Sequence, residues 1–192
     1  MNEILDKVRD YVIKGALAQP GGAMFIENHI KPVVKNAEYI LDTEPLAQTA
    51  DRVVVMTASW LHDIQRVDKP DEIARHEEVG AEIAAEVLKS FGASDELIAA
   101  VYDCVLCHEA ETRQPKTIEA KILCTADAMA HFSTDFYLSL FLYVLKKYDV
   151  AGFKKFALGK LEKDMNGGRI FFDGARSVVL PVYEKIKAFF EM

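Results

Sequence analysis

A chain of 192 residues with 51% hydrophobic content is long enough for one domain and apolar enough to fill its core. Its formal net charge of −7 argues against a nucleic-acid or anionic-membrane surface, either of which needs clustered Lys and Arg. The start, MNEILDKVRD, lacks the basic-then-apolar pattern of a secretory leader, and no run reaches the ~18–20 apolar residues of a membrane span, so the expected location is cytoplasmic.

Helical periodicity dominates from the first residues. Over 3–18, Ile4, Val8, Tyr11, Val12 and Leu17 recur at 3–4 spacing until Gln19-Pro20-Gly21-Gly22 breaks the pattern. A second helix over about 25–41 carries Ile30, Val33, Val34, Ala37, Ile40 and Leu41, with Pro32 in its first turn or at a kink. Residues 51–64 form a third, with Val53, Val54, Thr57, Trp60, Leu61 and Ile64 inward. Residues 65–75 read as a charged loop around Pro70, with room for a short helical turn. The pattern resumes over 76–90, where Gly80, Ala81 and Ala84 permit close packing, and Phe91-Gly92 ends it.

Ser94 before Asp95-Glu96 is a helix start, and that helix runs through Val101 and Cys104 to His108. After the polar stretch EAETRQPK, Thr117 caps a helix with Ile118, Ile122, Leu123, Ala126 and Ala130 inward. Phe136–Leu145 is apolar nearly all round, which fits a central buried helix or a homodimer contact; Phe189-Phe190 is a second candidate for such a contact. A helix GFKKFALGKLEKD, a turn MNGGR and a last helix interrupted or kinked at Pro181 complete the chain. No strand alternation longer than four residues, internal repeat or low-complexity tract is present. The expected fold is all-α, a single helical bundle domain over 1–192.

Cys104, Cys107 and Cys124 are an odd set without a secretory context, and the one C-x-x-C lies in an apolar helical run. Buried reduced thiols are the expectation.

The histidines carry the functional signal. Of five, four fall in series with two aspartates: His29, His62-Asp63, His76, His108, Asp127. Each lies in a helical segment, and most lie on or beside its apolar face. One histidine on such a face is ordinarily a hydrogen-bonded core residue. Six donors entering one interior are costly without a cation to hold. Mixed imidazole and carboxylate suits Fe, Mn, Co, Ni or Zn. His131, four residues after Asp127, reads as a structural or supporting residue.

The ordered series, in the contexts WLHDI, RHEEVGAEIA, CHEAE and CTADAM, resembles the HD-domain superfamily of metal-dependent phosphohydrolases. The resemblance covers about residues 25–132, with 133–192 as additional C-terminal helices. It implies His29, His62, Asp63 and Asp127 as primary metal ligands. It implies His76 and His108 as the further pair of two-metal members, in which Asp63 bridges the ions. The cofactor would be divalent metal, two ions per chain, drawn from Fe, Mn, Co, Ni or Mg. A one-metal form, with His76 and His108 behind the ligands or against phosphate, stays open.

The implied chemistry is attack of metal-activated hydroxide on a small phosphoester such as a nucleotide, with Asp63, His76 and His108 as catalytic groups. Arg66 and Arg75 are the candidate phosphate-binding residues, while Lys69, Arg113 and Lys116 are further loop cations. No Gly-rich phosphate loop narrows the substrate. Two rivals share the ligand set: a di-iron oxygenase of the same fold, and a nucleotide-binding regulatory module without turnover.

Overall fold

The computed structural model describes residues 3–68, 75–110, 113–144 and 147–192. Lys69 and Pro70 of the charged loop, part of the polar stretch before Thr117, and Leu145 lie outside the described residues. Every regular element among the described residues is helical.

Helix α1 (Glu3–Leu17) buries Val8, Val12 and Ala16, a stripe at four-residue spacing. The chain then reverses through Gly21, whose φ of 79° is the left-handed conformation that glycine adopts without strain. Its neighbour Gly22 opens α2 (Gly22–Phe25) in tight contact with α1, and a Cβ there would lie 1.7 Å from the Ala16 carbonyl oxygen. Because that obstacle is backbone, Gly22→Ala is expected to cost about 1–3 kcal/mol, read as a lower urea midpoint.

A π-helical segment, Ile26–Ile30, joins α2 to α3 (Lys31–Thr43). Pro32 has no N–H to donate, and just before it the ladder widens, so that Lys31 N–H bonds the Ile26 carbonyl five residues back. Pro32 therefore sits in the first turn of α3, and the helical path continues without a break.

After a 3₁₀ turn (Pro45–Thr49), Asp51 caps α4 (Arg52–Leu61) by accepting from Val53 N (2.8 Å) and Val54 N (3.3 Å). Helix α4 is buried from Val54 to Leu61 and packs on α1 and α3. A turn leads to the short α5 (Gln65–Asp68), so the charged loop begins as helix. Helices α6 (His76–Ser90) and α7 (Asp95–Leu106) form a hairpin, closed by Gly92 at φ 75° and capped by Ser94, which accepts from Leu97 N. Helix α8 (Ile118–Ala130), capped by Thr117, is buried from Ile122 to Ala130 and packs on α3, α4 and α7.

The central helices are thus α4 and α8. Helix α9 (Thr134–Val144), expected from its apolarity to be central or at a contact, buries Phe136 and Tyr137 but leaves Leu138 62% and Leu142 55% exposed. Helices α10 (Val150–Asn166) and α11 (Asp173–Glu191) pair and close over α8. Pro181 lies within α11, which continues through it. One apolar cluster runs from Val8 in α1 to Phe190 in α11.

Candidate metal centre

The fold brings helix ends to one place. His62 and Asp63 lie in the turn just past α4, and His108 in the turn just past α7, one or two residues beyond the helices that periodicity assigns them to. Asp127 is in the last turn of α8, and His131 caps that helix. The last turns of α4, α7 and α8 carry the partial negative charge of helix C-termini, which favours cations. His29 comes from the π segment, and His76 is the first residue of α6. π-Helical turns of this kind recur at functional sites because they displace a side chain from the regular helical register.

All five histidines of the chain form one row. Successive ring centroids are 5.2 Å apart for His131–His29, 5.0 Å for His29–His62, 5.3 Å for His62–His108 and 5.3 Å for His108–His76. Asp63 stands between the two ends. Its Oδ2 lies 3.1 Å from His29 Nε2 and its Oδ1 3.9 Å from His108 Nε2, and Oδ1 is buried with no hydrogen-bond partner. Asp127 Oδ1 lies 3.5 Å from His29 Nε2 and 3.6 Å from His62 Nε2. The six donors read from the sequence are brought together.

The hydrogen bonds show which ring nitrogens face inward bare. His62 Nδ1 is 2.9 Å from the Ser59 carbonyl and His108 Nδ1 is 2.7 Å from the Val105 carbonyl. A carbonyl only accepts, so each Nδ1 donates its proton. In the neutral rings Nε2 is then a lone pair. Burial lowers His62 to about 4, so it is neutral at physiological pH. Bare nitrogens thus face carboxylates that are ionised. Burial alone would raise Asp63, but Arg66, His29 and His62 outweigh it and hold it well below the usual carboxylate range. Asp127 is held low in the same way, by His131 and Arg169.

A cation between these buried lone pairs and anionic oxygens would satisfy both. The spacing suits one. Two ligands each about 2.1 Å from one ion, at angles between about 90° and 120°, stand roughly 3.0–3.6 Å apart. His29 Nε2 lies 3.0 Å from His62 Nε2 and 3.1 Å from Asp63 Oδ2. Groups of donors that could hold an ion are His29–His62–Asp63, His29–Asp127–His131, Asp63–His76–His108 and His108–Glu109–Asp127, each with atoms within 4.8 Å of one another.

The candidate phosphate-binding residues separate. Arg66 is 37% exposed and donates from Nε to Asp63 Oδ2 at 2.8 Å, at the edge of the centre. Arg75, 66% exposed, stays at the surface, where its Nε bonds Glu78 at 2.6 Å. Arg113 and Lys116 are exposed.

A family model for the HD domain matches residues 26–131, more than half of the chain and the whole span from the π segment to the end of α8. The chain belongs to the HD domain family. Two solved structures share the fold of this HD protein. A predicted HD superfamily hydrolase from an uncultured Thermotogales bacterium is 22% identical, with TM-score 0.63 over 98% of this chain and 88% of that one. A protein from Lactobacillus plantarum is 14% identical, with TM-score 0.67 over 100% of this chain and 98% of that one. No curated protein matches the sequence.

The HD centre also uses residues that sequence reasoning did not find, two of them beyond the family match. Arg169, 1% exposed in the turn after α10, ion-pairs with Asp127 through Nη2 and with Asp164 through Nη1. Its Nη2 also donates to the His108 carbonyl at 3.2 Å. Asp164 Oδ2 accepts from His131 Nδ1 at 2.9 Å. Glu109 faces His76 at 3.6 Å and pairs with Lys163 at 3.4 Å. The one signal available was Arg169 itself, a cation directly after the Gly167-Gly168 turn.

The cysteines stay outside this chemistry. All three are free and buried. Burial pushes Cys107 to about 11, Cys124 to about 12 and Cys104 well above the usual thiol range, so none offers a thiolate at neutral pH. No helix among the described residues is long and apolar enough to cross a membrane.

Proposed function

We propose that the protein is a metal-dependent phosphohydrolase acting on a small phosphoester, with nucleotides as the leading class. The observation that carries this reading is the buried convergence of His29, His62, Asp63 and Asp127, with neighbouring donor atoms 3.0–3.6 Å apart. Asp63 divides its two oxygens between His29 on one side and His108 on the other, which supports a two-ion centre bridged by that residue. His29, His62, Asp63 and Asp127 would hold one ion, and Asp63, His76 and His108 the other. When bound, the ions make water nucleophilic at neutral pH and neutralise phosphoryl oxygens.

The protein groups supply orientation and protons. Arg66 donates to Asp63 and lies at the edge of the centre, where a planar guanidinium can take phosphate oxygens. His76 is the most exposed of the six donors among the described residues. Burial would lower its proton affinity, but Glu109 and Asp63 outweigh that and raise it. In a one-ion form, His76 would therefore carry a proton on Nε2 for the leaving oxygen. Arg75 would act as an outer contact for a substrate that extends past α6.

The test is phosphate release from nucleotides and generic phosphoesters by the purified protein with Mn, Co, Ni, Mg or Fe. Metal-dependent release is the expected result. Absence of release across the panel by protein with metal bound would overturn the phosphohydrolase reading. Oxygen consumption by the iron form would favour the oxygenase of the same fold instead.

A further inference from the structure

The fifth histidine has the same geometry as the recognised donors. His131 Nδ1 lies 2.9 Å from Asp164 Oδ2, and Asp164 is anchored by Arg169. Asp164 is buried and ion-paired with Arg169, so its carboxylate accepts and His131 carries its proton on Nδ1. Its Nε2 then points into the centre, 3.5 Å from Asp127 Oδ1 and in the same donor group as His29 Nε2. The ring is 3% exposed and stacks on His29 with an interplanar angle of 10°.

We propose that His131 is a metal ligand beyond the six read from the sequence, sharing an ion with His29 and Asp127, and that Asp164 holds it in the ligating tautomer. This rests on the metal-centre reading above. The competing account makes His131 an imidazolium bridging Asp127 and Asp164. Charge-assisted N–H···O bonds run about 2.7–2.9 Å, and the Asp164 contact is of that length. The Asp127 contact, at 3.5 Å, is too long for one and suits two ligands of a common ion. A carboxylate behind a histidine fixes its tautomer and raises its basicity as a ligand, so Asp164 and Arg169 act as positioning residues.

The consequence is that α10 and the turn after it belong to the metal centre, although the family match ends at His131. A ligand set enlarged on the His29–Asp127 side favours an ion of five or six coordination there over tetrahedral zinc.

Cobalt(II) alone is the probe. Metal-free parent, His131→Gln and His62→Ala proteins are titrated with Co(II), followed by calorimetry and visible absorption, with circular dichroism to verify folding. His131→Gln is expected to bind at least about tenfold more weakly, with an altered cobalt band. Unchanged affinity and spectrum in His131→Gln, with binding lost in His62→Ala, would overturn the His131 assignment alone. Unchanged binding in both variants would overturn the metal reading itself. A crystal structure of the cobalt-loaded parent decides the matter without a variant. Cobalt about 2.1 Å from His131 Nε2 is expected, and a separation beyond about 3 Å would overturn the assignment.

Discussion

Replacing Arg169 by methionine is expected to destabilise the metal-free protein by about 3–5 kcal/mol, the scale of removing one partner from a buried ion pair. Methionine keeps most of the apolar stem and removes the charge. What remains is two buried carboxylates, Asp127 and Asp164, that have lost their shared cation, and a His108 carbonyl that has lost a donor. Arg169→Lys should be intermediate, because a single ammonium cannot reproduce a planar fork that serves three acceptors at once. The check is urea denaturation with the slope held constant; a loss below about 1 kcal/mol would show that the network contributes little.

Acid titration gives the same network a second signature. Burial would raise Asp164, but His131, Lys160 and Arg169 overcome it and hold it at about 2 in the folded chain, against an ordinary 3.8. A depressed carboxylate contributes stability that is fully present above its unfolded value and is lost as pH falls through its folded value. The window is therefore roughly pH 4 down to pH 2, and in Arg169→Met it should be narrower, ending at higher pH with a smaller total loss.

The recognised donors were legible because each combines an ionisable side chain with an apolar helical face, a conflict that a soluble bundle resolves only by giving those groups something to hold. Their relation to Arg169, Asp164 and His131 was not legible. Asp127 and Arg169 are 42 positions apart, and Asp164 sits in the run KLEKD, which reads as the solvated face of any amphipathic helix. His131 was visible as a residue but not as a donor, because its role depends on which nitrogen holds the proton, and Asp164 decides that. The position of α9 was left open between a central helix and a contact for a related reason. Uniform apolarity is compatible with either, whereas α4 and α8, the helices that are central, carry the buried polar residues Thr57, Ser59, Thr125 and Asp127. In this protein the polar residues mark the interior because the site is there. The termination of α4 and α7 just short of His62 and His108 also escaped the pattern, since periodicity does not distinguish a last helical turn from the turn that follows it.

Asp63→Asn is expected to abolish the chemistry while leaving the fold intact, with turnover falling by about 10²–10³-fold or more. The substitution preserves volume and hydrogen-bonding reach, so the centre is not emptied, but it removes the one negative charge common to both donor groups. An amide also presents one oxygen and one N–H₂ group. It can face His29 or His108 as an acceptor but not both, and the donor end would meet a lone pair usefully on only one side. Arg66 loses its ion pair with Asp63 at the same time. A readout independent of turnover is thermal stability with and without added metal. A ligand present at 100 times its dissociation constant stabilises the folded state by about 2.7 kcal/mol, and the parent should show an upward shift of that order with Mn or Co. Asp63→Asn should show little of it. If the variant kept both the metal-dependent shift and full turnover, Asp63 could not be the bridging carboxylate. If it kept the shift and lost only turnover, Asp63 would be a proton acceptor beside an ion held by His29, His62 and Asp127 alone.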